Sequence, residues 1–118
     1  MTEKPDVDLD NLAPIGSKIL FENDLVRIWE VYLEPGEHQG FHHHTNPYVV
    51  VAVDGGDNKI TSIDGTERLT EEPPGHIVYQ DRGQIHNLQN IGETHYRNRL
   101  IEIKVPTSKG VEGNGKGD

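Results

Sequence analysis

The chain contains no cysteine. Disulfides, thiolate metal ligands and a cysteine nucleophile are thereby removed at once, and any metal site must be built from imidazole and carboxylate. Aromatic residues are scarce at 6%, with one Trp and two Phe, so aliphatic side chains must supply the core. Leu, Ile, Val and Phe number 30 of 118, about a quarter of the chain, which stays above the roughly one-fifth below which disorder is the better reading. Basic residues are few as well: 11 Lys and Arg stand against 20 Asp and Glu, for a net charge of -9. Such a balance lacks the cationic footprint that phosphate backbones and anionic bilayers require, and argues against both as partners. No apolar run approaches the ~18 residues of a membrane span, and the opening MTEKPDVDLDNLAP has no stretch resembling a secretory signal. These absences lead to the expectation of a soluble, cytoplasmic protein.

A length of 118 residues suits one domain. Residues 1–14 are acidic, Pro-bounded and without helical period, and read as an N-terminal arm. Residues 106–118 include four glycines in a polar stretch and read as a flexible C-terminal tail. Between them lies a single domain, residues 15–105, that carries -6 of the net charge. Its apolar pattern is short-period throughout. Leu25 to Leu33 is rich in β-formers, and Tyr48 to Val53 is a continuous apolar run suited to a strand buried on both faces. Asp54-Gly55-Gly56 reads as a turn, and Asp64-Gly65 separates Lys59 to Ile63 from Thr66 to Glu71 as in a hairpin. His76 to Gln80, Asn87 to Ile91 and Arg99 to Val105 complete the set. About seven to nine short strands and no helix beyond a turn or two predict an all-β antiparallel sandwich or barrel.

Seven histidines occur, at positions 38, 42, 43, 44, 76, 86 and 95. In the stretch FHHHT, His42 and His44 stand two apart, so an extended backbone projects them from one face while His43 points to the other. Two imidazoles side by side on a strand form a rigid start for a metal site. Taken alone, the same stretch could equally be a surface turn. The surroundings are more specific. Gly36-x5-His42-x-His44-x3-Tyr48-x6-Gly55, followed by Gly75-x5-Asp81-x-Gly83-x2-His86-x3-Asn90, resembles the two motifs of the cupin superfamily in every spacing, with eight of the ten fixed positions in agreement.

The resemblance implies a small antiparallel β-barrel of the double-stranded β-helix (jelly-roll) kind. It also implies a mononuclear metal held by His42, His44 and His86. Two positions depart from the pattern: Asp81 replaces a proline, and Tyr48 replaces the glutamate that usually completes the metal shell. Three neutral histidines suit Fe, Zn, Ni or Cu better than Mn, which prefers carboxylate oxygen. Three-histidine cupins in which iron activates oxygen make Fe(II) and a dioxygenase acting on a small organic molecule the leading implication. A non-redox lyase or isomerase using the metal as Lewis acid is the alternative, and a ligand-binding cupin without turnover is a third. Small cupins commonly pair, which implies a homodimer, with Val7 to Leu12 a segment able to add to a neighbour's sheet edge.

Other residues bear weaker signals. Tyr48 reads either as a core aromatic or as a phenol near the metal acting as acid or oxygen-orienting donor. Arg27 and Arg99 fall in strand patterns and are candidates for holding a substrate carboxylate, against the simpler reading of solvated strand residues. Trp29, Tyr32, Phe41, Val50 and Tyr79 are expected in the core, and Gly36, Gly55, Gly75 and Gly83 in turns. The stretch from Gly110 to Gly117 matches a phosphate-binding loop only in part. Gly117 stands where Ser or Thr would hold magnesium, and no helix can follow. The serines, Ser17, Ser62 and Ser108, have no nucleophile context.

Overall fold

The computed structural model describes residues 4–105; the expected C-terminal tail and the Gly110 to Gly117 stretch lie outside the described residues. Nine antiparallel strands follow one another: β1 (Lys18–Glu22), β2 (Val26–Leu33), β3 (His42–His43), β4 (Tyr48–Asp54), β5 (Gly56–Ser62), β6 (Glu67–Glu72), β7 (Ile77–Gln80), β8 (Ile85–Asn90) and β9 (Tyr96–Ile103). They form a five-stranded sheet in the order β1-β2-β9-β4-β7 facing a four-stranded sheet in the order β3-β8-β5-β6. Among the described residues there is no helix, hence none long and apolar enough to cross a membrane.

The hairpin expected at Asp64-Gly65 is present. Gly65 has φ 93°, the Asp64 carboxylate accepts the Thr66 amide at 2.9 Å, and Ser62 and Thr66 close the ladder at 2.8 Å. Asp54-Gly55-Gly56 differs from its reading as a turn. A single residue, Gly55, separates β4 from β5, and the chain passes there from one sheet to the other. A side chain at 55 would collide with the Glu72 carbonyl, so glycine is required by close backbone approach and not by positive φ.

β4 is not buried on both faces. Tyr48 and Ala52 point inward at 3% and 2% exposure, whereas Val53 on the other face is exposed, because among the described residues no layer of structure covers the outside of the five-stranded sheet. Tyr79 is likewise no core residue: it projects outward from β7 at 60% exposure. The apolar core comprises Val31, Leu33, Tyr48 and Leu100, with Ile15, Trp29, Val50 and Leu88 packed against it.

Two strands depart from the usual alternation. On β9, Asn98 and Glu102 are buried while Ile103 is exposed; on β6, Glu72 is buried while Leu69 is 69% exposed. Polar groups inside and apolar groups outside contradict the pattern by which strands choose a face. Such local violations concentrate where function is placed.

Of the N-terminal arm, Ala13 and Pro14 dock on the chain's own barrel, the Ala13 backbone amide donating to the Phe41 carbonyl at 2.8 Å and the Gln39 side-chain amide to the Pro14 carbonyl at 3.0 Å. Val7 to Leu12 is not extended. Asp8 caps a turn there, its carboxylate accepting the Asp10 amide at 3.0 Å and its carbonyl the Asn11 amide at 3.1 Å. This segment therefore lacks the backbone that addition to a sheet edge needs.

Candidate metal centre

β3 and β8 pair so that His42 lies directly opposite His86. β8 begins at Ile85, two residues before the start read from the sequence, and this extension brings His86 into the ladder. Past the end of β3, the His44 amide donates to the Gln84 carbonyl at 2.8 Å and the His44 carbonyl accepts the Gly83 amide at 2.7 Å. Gly83 adopts φ 112° to make that turn, a conformation that a side chain would strain. The alternation expected in FHHHT holds: His42 and His44 are buried at 3% and 1% exposure, and His43 is exposed.

The three rings meet edge to face, with centroids 4.8 Å apart for His42 and His44 and 4.9 Å for each of the other pairs. One ligand atom from each lies within 4.8 Å of the others. His42 donates through Nδ1 to the Gly40 carbonyl at 2.7 Å, which fixes its tautomer and leaves Nε2 as a lone-pair donor toward the cluster. The Nε2 atoms of His44 and His86 are 3.1 Å apart, within the roughly 2.9 to 3.4 Å that separates two ligands of one ion bound at about 2.1 Å. Burial, followed by the neighbouring imidazoles, pushes His44 down to about 2. Burial, followed by His42 and then Arg68, pushes His86 down to about 3. His42 is lowered by burial too. All three are therefore neutral near pH 7 and present lone pairs. This donor set fits a divalent metal ion.

The triad forms part of the wall of a cavity of about 150 Å³ between the sheets. Strand register orders its lining. Tyr48, Gln80 and Gln84 surround the histidine end, Val31, Val50, Val78, Leu88 and Leu100 form an apolar waist, and Thr70, Glu72, Tyr96 and Asn98 lie at the opposite end.

Tyr48 stacks on His44 at 3.9 Å between centroids and donates from its hydroxyl to Gln84 Oε1 at 2.6 Å. Burial pushes its phenol far above the ordinary tyrosine value, so it stays protonated. It acts as a packed hydrogen-bond donor beside the triad.

Arg27 and Arg99 are not brought to the cavity. Arg27 pairs with Glu102 at 2.9 Å and Glu22 at 3.2 Å, and Arg99 pairs with Glu30 at 3.0 Å. The cation that does line the cavity is Arg68, which has no ion pair or side-chain hydrogen bond among the described residues. Sequence reading missed it because the polar run of β6 gave no sign of which face turned inward. Of the remaining histidines, His76 lines the cavity. His38 accepts from Asn87 at 2.8 Å, and His95 pairs with Asp54 at 2.9 Å while stacking on Tyr32.

Two facing antiparallel sheets with a histidine triad set into the inner wall give the chain the double-stranded β-helix fold seen in cupin domains. Similar solved structures bear this out. A cupin domain from Bordetella pertussis is 27% identical with a TM-score of 0.70, over 75% of this chain and 91% of that one. An RmlC-like cupin family protein from Methanocaldococcus jannaschii is 21% identical with a TM-score of 0.63, over 87% and 92% of the two chains. A cupin 2 conserved barrel domain protein from Salinispora arenicola is 20% identical with a TM-score of 0.60, over 89% and 91%. No family model and no curated protein matches the chain.

Proposed function

We propose that the chain is a metal-dependent oxidoreductase of the dioxygenase kind, acting on a small anionic molecule with Fe(II) held by His42, His44 and His86. The observation that carries this reading is a cluster of three neutral imidazoles, with no carboxylate in the cluster among the described residues, in the wall of a small cavity. When bound, iron supplies redox chemistry toward dioxygen and open coordination positions for substrate. The chain supplies the rest. The apolar waist excludes water, and the Tyr48 hydroxyl anchors Gln84, which in turn donates to Gln80 at 3.0 Å and steadies the wall beside the triad. Arg68 holds the anionic group of the substrate by a charge-assisted hydrogen bond.

The non-redox alternative asks a side chain near the metal to move a proton. Tyr48, held protonated by burial and tied to Gln84, suits that task poorly. Protein reconstituted anaerobically with Fe(II) should take up oxygen in the presence of a small carboxylic acid substrate found by screening, and the zinc-loaded protein should not. Turnover with zinc or nickel and no oxygen uptake with iron would favour the lyase or isomerase.

A homodimer is proposed as the assembly, with β1 as its contact. This edge strand exposes Ile19, Leu20 and Phe21 at 47%, 42% and 52%, and one of its two edges is unpaired. A two-fold antiparallel pairing of β1 with its copy sets Lys18 opposite Glu22 and opposes no like charges. Light scattering should give a dimer for the parent chain and a monomer for Phe21→Glu; a monomeric parent would refute the contact.

A further inference from the structure

We propose that the end of the cavity remote from the histidines is a second recognition site, which takes an ammonium group from the same substrate whose anionic end lies at Arg68 and the triad. This inference rests on the reading that the cavity is the substrate site, and it narrows the substrate to a short dipolar molecule.

The sequence places Arg68, Thr70 and Glu72 on one face of β6; the structure turns Thr70 and Glu72 inward and lets the exposed Arg68 border the cavity, while leaving Leu69 in solvent. The Glu72 carboxylate there accepts three hydrogen bonds, from the Tyr96 hydroxyl at 2.6 Å, Thr70 Oγ1 at 2.9 Å and Asn58 Nδ2 at 3.3 Å. All three donors are neutral. No cation pairs with Glu72 among the described residues, in contrast to Glu102 and Glu30, which are matched by Arg27 and Arg99.

The Tyr96 hydroxyl spends its one proton on Glu72, so it can only accept from Asn98, whose Nδ2 lies 2.9 Å away. That orientation leaves Asn98 Oδ1 without a partner in a residue 3% exposed. The unspent capacity among these buried groups is therefore acceptor capacity: carboxylate oxygens without a cation, and an amide oxygen. Buried polar groups are nearly all hydrogen-bonded, and a remainder on a cavity wall is a place where a ligand group can complete the network. An ammonium group supplies both missing elements, positive charge and several N–H donors.

The dimensions set the rest of the ligand. Arg68 and Glu72 stand four residues apart on one strand, about 13 Å along the backbone, and both side chains reach inward from there. The waist between them is aliphatic, through Val50, Val78, Leu88 and Leu100. A cavity near 150 Å³ holds a molecule about the size of benzene. A short aliphatic chain with a carboxylate at one end and an ammonium at the other fits these terms.

The test is calorimetric titration of metal-free and zinc-loaded protein, neither of which turns over by redox chemistry, with 4-aminobutyrate and with pentanoate, in which a methyl replaces the ammonium. The amino acid should bind at least about tenfold more tightly, as expected for a charge-assisted contact in a dry site. Glu72→Gln should remove the difference while leaving zinc content unchanged. Equal affinities, tighter binding of pentanoate, no binding of 4-aminobutyrate at millimolar concentration, or a preference that survives in Glu72→Gln would overturn the proposal. If Glu72→Gln fails to fold, the comparison of the two ligands on the parent chain decides. An intact amine preference without oxygen uptake by the iron protein would overturn the redox reading alone.

Discussion

Replacing His86 with Ala should all but abolish metal binding. Loss of a group that merely orients a ligand weakens metal sites by about 10- to 100-fold, so loss of a ligand should exceed that. Here the remaining two imidazoles lie on one short strand and its exit, and His42 faces only the gap left across the ladder. Metal analysis after dialysis against a weak chelator should show near-stoichiometric loading of the parent and a nearly empty variant; equal loading would refute the triad. Acid should act on the same groups. In the folded, metal-free chain, burial holds His44 down to about 2 and His86 down to about 3, whereas unfolded histidine titrates near 6.5. The unfolded state thus binds more protons between those values. The stability these two residues preserve is fully present above about pH 6.5 and is lost as pH falls toward 3, at up to roughly 1.4 kcal/mol per pH unit for each. A melting series of the metal-free protein from neutral to mildly acidic pH should show that decline, and His86→Ala should make it shallower.

Tyr48→Glu should change which metal is preferred. The position lies beside the triad, its ring stacked on His44, and a carboxylate there would add a negatively charged oxygen donor to a shell that is otherwise neutral. Mn prefers oxygen ligands, so its affinity relative to Fe should rise by about an order of magnitude or more, while turnover falls because a coordination position is taken from substrate. Tyr48→Phe should leave metal content intact, since the hydroxyl is spent on Gln84. Competitive metal loading of the glutamate variant against its parent is the decisive measurement. Identical preferences would mean that the side chain at 48 does not reach the metal.

The legible part of this molecule was what short-range periodicity and fixed spacing carry. The hairpin at Asp64-Gly65, the strand character of Val26–Leu33 and Tyr48–Asp54, and the inward phase of His42 and His44 follow from local rules about turns and alternation. His86 was legible because its spacing from Gly75, Gly83 and Asn90 matched a known motif; its strand context alone was read two residues short.

Sequence by itself determined the strand-rich architecture, the exclusion of thiolate chemistry and the identity of the three histidines, because each rests on residue type and separation along the chain. Tertiary structure alone decided which face of β6 and β9 is inside. Alternation normally reports the buried face through apolar residues; on β6 it points the wrong way, putting Leu69 outside and Glu72 within, and on β9 the inner face mixes Tyr96 and Leu100 with Asn98 and Glu102 while Ile103 lies outside. The largely polar run of β6 hid Arg68, while Arg27 and Arg99 lie outside the cavity, paired with Glu102 and Glu30. Partners such as Glu72 and Tyr96 lie 24 residues apart in the chain, and only closure of one sheet over the other sets them within a hydrogen bond of each other.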